Sequence, residues 1–387
     1  MVIILAPHLE YPTHNGGDIY VDRLACHLSP HRGRVLVLGS NTLTIYEAGT
    51  LVDRQPFANR MRSKNMAAVR TLTLNSHYLV EKYLTGTYRK KSRQLLQENP
   101  SAVVVYSCIA SADLRADART TFVLTQNDDV AFYQNQYEFT RNPLHKAVAA
   151  RTKAWTIDFL KNSANKHVFV HITEIDQRSY AGYMEGHRSI VAPAGVDWKP
   201  YFRWDSPPDK RIRLLFCGSL SVKMNLDALL FFRDKFWHLL KDHFQEGIEL
   251  WVAGSRPTSS IVSLCKQQGW GLYPDIRDEK LHFLYASATF GILPFEYSNG
   301  AKIKLISCLA AGLPVLATDC VKAMPEQEFH PNLFSNDPNR WLEHLKKCRD
   351  VEMDTAQGRI ACHEFAMKYS WQQVATKLND DLAAMGY

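Results

Sequence analysis

The chain has 387 residues, of which 46% are hydrophobic and 22% are charged. These proportions are typical of soluble globular proteins and exclude the fibrous and intrinsically disordered classes. Because one hydrophobic core rarely organises a chain of this length, we expect two domains. The apolar runs are much shorter than the roughly 20 residues that a membrane-spanning helix needs. The first residues, MVIILAPHLEYP, contain no basic leader, so we expect a cytoplasmic protein.

The eight cysteines are irregularly spaced and form no C-x-x-C pair, which argues against a structural zinc site and a disulfide framework. The formal net charge of +7 fits either an acidic partner or a mildly basic soluble protein without one. The acidic partner classes are nucleotide diphosphates, lipid phosphates, membrane surfaces and nucleic acids. Since no nucleic-acid-binding module is recognisable, we expect no nucleic acid among the partners.

Short β-rich apolar segments alternate with helical segments along the whole chain, which predicts a parallel α/β structure. In chain order, strands are predicted at Val2 to Ala6, Val35 to Gly39, Ala102 to Tyr106, Thr121 to Thr125 and His167 to Ile172. Residues 187–210 are irregular and rich in proline, which indicates a linker. The alternation then resumes, with strands predicted at Arg213 to Cys217, Ile248 to Ala253, Phe290 to Pro294 and Val315 to Thr318. We therefore predict two doubly wound domains, 1–197 and 198–368, and a closing helix within 369–387.

Glycine-containing turns follow the first strand of each predicted domain. Gly16 and Gly17 open a helix-like run in the first domain, where free backbone N–H groups can bind an anion. A purely structural tight turn explains the two glycines equally well. In the second domain, Gly218 follows the strand and Lys223 lies in the same turn. This lysine either neutralises a phosphate or is simply a solvated surface residue.

A second basic turn follows the strand that begins at Phe290. Lys302 and Lys304 enter a helix that ends at Gly312, so two cations lie at a helix N-terminus. The helix dipole makes this placement locally unfavourable for cations and favourable for anions. A bound diphosphate would account for both lysines.

Taken together, these segments resemble the donor-binding half of GT-B glycosyltransferases, above all family 4 (group 1) and its relatives in polysaccharide assembly. The resemblance rests on FCGSL from Phe216 with Asn225 after it, on WVAG ending at Gly254, on Gly271 with Asp275, and on PFEYSNGAKIKLISCLAAGLPV from Pro294. It implies two Rossmann-like domains facing across a cleft and a C-terminal helix that crosses back to the first domain.

The same resemblance implies a function. The chain would be a hexosyltransferase-like enzyme that moves a sugar from a nucleotide-diphosphate sugar, with a UDP-sugar as the expected donor and no metal or other cofactor. The expected acceptor is a lipid-linked or glycan intermediate of surface polysaccharide or glycoconjugate biosynthesis.

The resemblance also implies roles for individual residues. Lys223 and Lys304 would bind the diphosphate, and Gly254 with the loop Asp275, Ile276 and Arg277 would flank the base. Where the family has an E-x7-E arrangement that contacts the sugar and the ribose, this chain has Asn299 and Ser307. The predicted donor-binding residues are Gly16, Gly17, Gly218, Lys223, Gly254, Ile276, Arg277, Asn299, Gly300, Lys302, Lys304 and Ser307.

Two carboxylates are the catalytic candidates. Asp128 and Asp129 follow the strand Thr121 to Thr125, where one of them would accept the acceptor's proton if the reaction inverts the anomeric centre. If the reaction retains it, as the resemblance favours, Asp129 or Asn127 orients substrates while the leaving phosphate acts as base. The alternative is that both carboxylates only cap the following helix.

The acceptor side carries a weaker signal. Basic residues interleaved with tyrosines concentrate in the first domain, at Arg60, Arg62, Lys64, Arg70, Arg89, Lys90, Lys91 and Arg93. They predict either peripheral contact with an anionic membrane surface or a solvated helix face. The replacement of the two family glutamates also leaves a different class of function open, namely a catalytically silent nucleotide-sugar-binding or scaffold protein.

Overall fold

A computed structural model describes residues 1–13, 16–114, 121–125, 129–140, 142–163, 166–184, 186–196, 211–296, 303–321, 331–350 and 355–387. The chain forms two compact units. Unit 1 takes in the described residues from Met1 to Ala194 and from Trp371 to Tyr387. Unit 2 takes in the described residues between Gly195 and Ser370. No helix in these ranges combines the length and the hydropathy needed to cross a bilayer.

Unit 1 is built on an eight-stranded sheet. Its strands are β1 (Val2–Leu5), β2 (Arg34–Leu38), β3 (Thr42–Glu47), β4 (Thr50–Pro56), β5 (Val103–Tyr106), β6 (Thr121–Thr125), β7 (His167–His171) and β8 (Arg188–Val191). Their order in the sheet is β4-β3-β2-β1-β5-β6-β7-β8, and all neighbours are parallel except in the β2-β3-β4 part. The five strands predicted for this half are confirmed.

The helices between these strands lie where the apolar periodicity requires them. They are α1 (Gly16–Arg32), α2 (Lys64–Thr73), α3 (Tyr78–Tyr83), α4 (Gly86–Glu98), α5 (Asp129–Phe139), α6 (Pro143–Ser163) and α7 (Glu174–Ala181). Ser63, Thr85 and Thr173 cap α2, α4 and α7, and each side-chain oxygen accepts a hydrogen bond from a backbone N–H of the first turn. Such caps satisfy donors that a helix start otherwise leaves free.

The antiparallel hairpin of β3 and β4 was not predicted. Every residue of β4 is exposed, so the strand has no alternation of apolar and polar residues to reveal it. The hairpin turns at Ala48 and Gly49, which both have positive φ angles, of 48° and 79°. Such pairs of left-handed residues match the twist of a two-residue hairpin loop.

Unit 2 contains a six-stranded sheet in which every pairing is parallel. Its strands are β9 (Ile212–Cys217), β10 (Ile248–Gly254), β11 (Gly271–Pro274), β12 (Phe290–Leu293), β13 (Val315–Ala317) and β14 (Leu333–Phe334), in the order β11-β10-β9-β12-β13-β14. Its helices are α8 (Lys223–Phe232), α9 (His238–Phe244), α10 (Ser259–Gln268), α11 (Asp278–Ser287), α12 (Ile303–Ala310), α13 (Pro338–Asp350) and α14 (Thr355–Met367). The four strands predicted here are confirmed, whereas β11, which has no fully buried residue, and β14, which has only two residues, were missed.

The closing helix α15 (Trp371–Ala384) follows unit 2 in sequence but packs in unit 1, against α1. Trp371 is buried, and its ring meets that of Tyr20 edge to face at a centroid distance of 5.5 Å. Buried aromatic pairs of this geometry contribute about 1 kcal/mol beyond the apolar area that they bury. The predicted return of the last helix to the first domain is confirmed.

Each sheet reverses its strand order once. In unit 1 the chain leaves β1 towards β2 and later returns to add β5 on the other side of β1. In unit 2 the same reversal separates β9 from β12. Loops that follow the strands at such a point diverge to opposite sides of the sheet and leave a crevice at the carboxyl ends of the strands, where ligands bind.

Two buried histidines of unit 1 are held neutral. His77 is 2% exposed, its Nδ1 accepts the Leu79 N–H at 3.1 Å, and its ring contacts Trp155. His171 is fully buried beside Thr125, with 2.7 Å between Oγ1 and Nδ1. Burial lowers the pKa of His77 to about 3 and that of His171 to about 4. An imidazolium in either place would lose its water, and no carboxylate among the described residues forms an ion pair with either ring.

The burial of His77 and His171 predicts that the folded protein becomes less stable at acidic pH. Below the unfolded pKa of about 6.5, the unfolded chain binds protons that the folded chain does not, so the free energy of unfolding must fall with pH. We expect a loss of about 1.4 kcal/mol per pH unit for each of the two histidines until their folded pKa is reached. Denaturant unfolding across this range measures the slope. His77→Asn, which keeps a capping acceptor, should make the slope shallower, whereas the same change at the exposed His145 should not.

Candidate functional site

Lys304 lies at the centre of the residues that meet at the strand reversal of unit 2. It is the second residue of α12, and its ammonium donates a hydrogen bond to Asn225 Oδ1 on α8. The same nitrogen lies 5.0 Å from the ring centroids of both Phe216 and Phe295, which are buried. Aromatic faces attract cations, so the two rings hold the charge in place without neutralising it.

Gly218 leaves the space that the lysine occupies. A Cβ at this position would lie 2.6 Å from Lys304 Nζ and 2.7 Å from Cε. Any other residue would therefore push the ammonium away from the end of β9. Asn225 completes the turn, because its Nδ2 donates to Ser219 O at 2.6 Å. The ammonium, the amide and the backbone turn thus form one hydrogen-bonded unit.

Gly254 at the end of β10 permits a second close contact, between its own backbone and that of Gly218. A Cβ there would lie 1.7 Å from Gly218 O and 2.8 Å from Gly218 C, which no backbone tolerates. The two turns are joined further by hydrogen bonds from Gly218 N to Ala253 O at 3.0 Å and from Leu220 N to Ser255 O at 2.8 Å. Gly254 therefore fixes the position of the turn that faces Lys304.

The thiols nearest this cation are neutral. Burial raises the pKa of Cys217, although Lys304 opposes the shift, and it raises the pKa of Cys308 strongly. A neutral thiol does not compete with an incoming anion for the ammonium. These two thiols therefore do not neutralise the charge of Lys304.

The loop after β11 forms the outer wall of the site. Asp275 donates its backbone N–H to Gly254 O at 3.0 Å, and its carboxylate accepts the Arg256 N–H at 2.8 Å. Ile276 is half-buried against the core of unit 2, and Arg277 is exposed where α11 begins. The structure thus brings Gly218, Gly254 and the loop 275–277 together at one edge of the sheet.

Two predicted donor-site residues have partners of their own. Lys223 is 84% exposed and forms an ion pair with Asp227 at 2.7 Å, four residues along α8. Ser307 donates its hydroxyl hydrogen to Ile303 O at 2.9 Å, one turn back in α12. The roles of Lys223 at the diphosphate and of Ser307 at the ribose stay predictions.

The glycine turn of unit 1 opens α1, as predicted. Gly16 and Gly17 are its first residues, and Asp18 follows them in the first turn. Asp18 is buried, with one carboxylate oxygen 3.8 Å from His8 Nε2 at the end of β1. Burial lowers the pKa of His8 to about 4. A neutral imidazole and a carboxylate therefore lie at the strand reversal of unit 1.

Asp129, one of the two catalytic candidates, begins α5 after β6. Its backbone N–H donates to Tyr180 Oη at 3.1 Å. Burial, and after it the charge of Asp129, raises the pKa of Tyr133 well above its usual value. Asp129 itself is half-buried where α5 begins after β6. The other predicted residues Asp128, Asn299, Gly300 and Lys302 lie outside the described residues.

Comparison with known proteins identifies the domain around Lys304. Residues 211–349 match the family described as Glycosyl transferases group 1. This part of the chain is similar to group 1 glycosyltransferases. A comparison with curated protein sequences gave no match.

Solved glycosyltransferases share the fold. Sucrose-phosphate synthase from Thermosynechococcus elongatus is 12% identical, with a TM-score of 0.68 over 99% of this chain and 98% of that one. HepE from Anabaena, solved with UDP, is 12% identical, with a TM-score of 0.61 over 99% of this chain and all of that one. A mutant of TarM from S. aureus, solved with UDP among its ligands, is 9% identical, with a TM-score of 0.55 over 76% of this chain. The chain spans 57% of that TarM chain.

These findings confirm the predicted GT-B fold and the predicted class of enzyme, a glycosyltransferase. Sequence reasoning missed how the glycosyltransferase holds its central lysine, since Phe216 and Asn225 served only as signs of the resemblance and Phe295 was not singled out. Asn225 offered a signal, because asparagine is a poor helix former yet stands among apolar residues in α8. The two phenylalanines read as ordinary core residues.

The close backbone approach at Gly254 yields a stability prediction. Gly254→Ala places a methyl group against Gly218 O, and we expect it to lower the free energy of unfolding by about 3 kcal/mol, the upper end for overpacked sites. Gly247→Ala is the matched control, because a Cβ there meets no atom within 4 Å. Denaturant unfolding of both variants measures the difference, and equal stability would contradict the packing described.

Proposed function

We propose that the enzyme transfers a hexose from a UDP-sugar to a lipid-linked or glycan acceptor in surface polysaccharide or glycoconjugate biosynthesis, with retention of anomeric configuration. Structures of two proteins of similar fold support the choice of donor. HepE was solved with UDP and with UDP-glucose, and TarM with UDP and alpha-GlcNAc-glycerol. In this proposal the protein is cytoplasmic, makes peripheral contact with an anionic membrane and needs no metal for donor binding.

The observation that carries the proposal is the position of Lys304. Its ammonium lies at the N-terminus of α12 and beside the turn after β9, at the strand reversal where parallel sheets bind ligands. The helix dipole and the ammonium both favour an anion there. A diphosphate carries negative charge over several oxygens and matches both features. Lys223 and Lys302 are the further cations in this proposal.

In glycosyl transfer the positive charge of Lys304 acts in the transition state. The bond between the anomeric carbon and the diphosphate oxygen breaks, and a new bond to the acceptor oxygen forms through a transition state that resembles an oxocarbenium ion. Negative charge then grows on the leaving diphosphate. A preorganised ammonium stabilises that charge more in the transition state than in the bound donor, which is what accelerates the step.

Asp129 has a positioning role in this proposal. In front-face transfer the acceptor's proton passes to an oxygen of the leaving diphosphate, so no protein base is required. Asp129, whose backbone N–H donates to Tyr180 Oη, or Asn127 then orients the substrates. If the reaction inverted the anomeric centre, the Asp129 carboxylate would instead be the base that takes the proton of the acceptor hydroxyl.

One observation favours the alternative, a nucleotide-sugar-binding protein without catalysis. Ser307 stands where the family has a glutamate, and its hydrogen is already donated to Ile303 O. The hydroxyl keeps acceptor capacity for one ribose hydroxyl but cannot supply a carboxylate. This reading predicts nucleotide binding without turnover.

Donor binding is tested by ligand-dependent thermal stabilisation with UDP, GDP, dTDP, CMP and their sugars. We expect UDP and one UDP-sugar to stabilise the protein, and Lys304→Ala to weaken UDP binding by at least about tenfold, because a charge-assisted contact is lost. Lys346→Ala, at a surface lysine paired with Glu343, is the control and should bind UDP normally. Stabilisation by none of the nucleotides would contradict the proposal.

Stereochemistry is tested separately, with the donor found above. We expect a product with the donor's anomeric configuration by NMR, and we expect Asp129→Asn to lower kcat by less than about tenfold, since orientation alone is lost. A general base contributes about a hundredfold or more. An inverted product, with activity abolished in Asp129→Asn, would overturn retention.

A further inference from the structure

Helix α2 presents large apolar side chains to solvent. Met66, Val69 and Leu74 are 56%, 54% and 54% exposed. Met66 and Val69 are three residues apart and so share one side of the helix, and Leu74 is its C-cap residue. The opposite side is buried through two alanines and Thr71. The helix thus docks on unit 1 by its small residues and turns its large ones outward. We call Met66, Val69 and Leu74 the docking ridge.

These side chains lie closer together than the exposed large apolar residues of unit 2, although β4 of unit 1 also exposes an adjacent pair, Leu51 and Val52. In the described part of unit 2, exposed large apolar residues lie far apart in sequence, at Val222, Val262, Phe283 and Ile360. Single exposed apolar residues are normal on soluble proteins and need no explanation. Three within nine residues, on one helix and its cap, indicate a surface that becomes covered.

The charge of the protein is concentrated in the helices of the same region. Helices α2, α4 and α6 together contain ten basic residues (Lys or Arg) and two acidic residues (Asp or Glu). Their combined net charge is therefore +8, whereas the net charge of the whole chain is +7. Helix α6 packs directly against α2, and α4 follows α3 closely along the chain. A partner of this region would therefore have to be negatively charged.

The positive charge of Lys64 destabilises helix α2, in which the residue lies. It occupies the first position of α2, whose first turn contains no acidic residue, and it is exposed. A cation at that end opposes the helix dipole. An external anion at the same place would be attracted by both Lys64 and the helix dipole, which would offset this cost.

Internal ion pairs fix the orientation of α2 against α3. Arg70 Nε lies 2.7 Å from Glu81 Oε2, and Arg62 Nη1 lies 3.8 Å from the same oxygen. Glu81 is buried on α3. The docking ridge is therefore presented in a fixed direction, without first having to order a flexible segment.

We infer that the docking ridge inserts into the headgroup region of an anionic lipid bilayer, with the basic residues of α2, α4 and α6 against the lipid phosphates. Apolar side chains flanked by basic ones on a surface helix are the combination that such an interface binds. A second copy of the chain is a poor partner, because it would bring the same positive charge. The inference rests on the proposed function, to which it adds the surface that meets a membrane-held acceptor.

The test is co-sedimentation of the full chain with vesicles of phosphatidylcholine alone and of equal parts phosphatidylglycerol and phosphatidylcholine. We expect binding to the anionic vesicles only, weakened by salt. Met66→Ser with Val69→Ser should reduce it about tenfold, since two apolar side chains no longer insert. Lys64→Gln should reduce it about fivefold, the contribution of one cation near the surface.

The matched control is Val262→Ser with Ile360→Ser, two exposed apolar residues of unit 2. We expect this pair to leave vesicle binding unchanged and all variants to keep UDP stabilisation, which separates this inference from the donor proposal. Absence of binding to anionic vesicles, or an equal loss in the control pair, would overturn the inference. A concentration-dependent dimer that the Met66 and Val69 changes abolish would overturn it in favour of a second copy.

Discussion

The donor side of the molecule depends on one steric constraint, the contact between the backbones of two turns. Gly254 lets the end of β10 approach Gly218 so closely that no side chain fits between them, and Gly218 in turn leaves room for the Lys304 ammonium. The two phenylalanine rings and Asn225 then hold that ammonium in place. A cation fixed before the ligand arrives costs little reorganisation when charge develops on a leaving group.

The sequence predicts the strands and the positions of the turns, because both leave local signals. Buried parallel strands are short apolar runs, and Gly218 and Gly254 follow two of them directly. The packing around Lys304 leaves no such signal. Phe216 lies in β9, Phe295 follows β12 and Asn225 lies in α8, so their meeting depends on strand order. The exposed strand β4 was missed for the opposite reason, since it has no buried face to impose a pattern.

The two units use the same architecture for different local chemistry. At the strand reversal of unit 2 a cation lies beside neutral thiols, whereas at that of unit 1 a carboxylate, Asp18, lies beside a neutral histidine, His8. Sequence reasoning found the glycines in both turns but did not single out Asp18 or His8. A lone histidine after a strand is too common to stand out, and only its burial beside Asp18 distinguishes His8.

The position of α15 has a consequence for the order in which the protein is made. The helix completes unit 1 through the contact of Trp371 with Tyr20, yet the ribosome produces it after the whole of unit 2. Unit 2 emerges as one continuous stretch and can fold as soon as it leaves the ribosome, while unit 1, although synthesised first, still lacks one of its helices. The amino-terminal unit is therefore the last to reach its native state during translation.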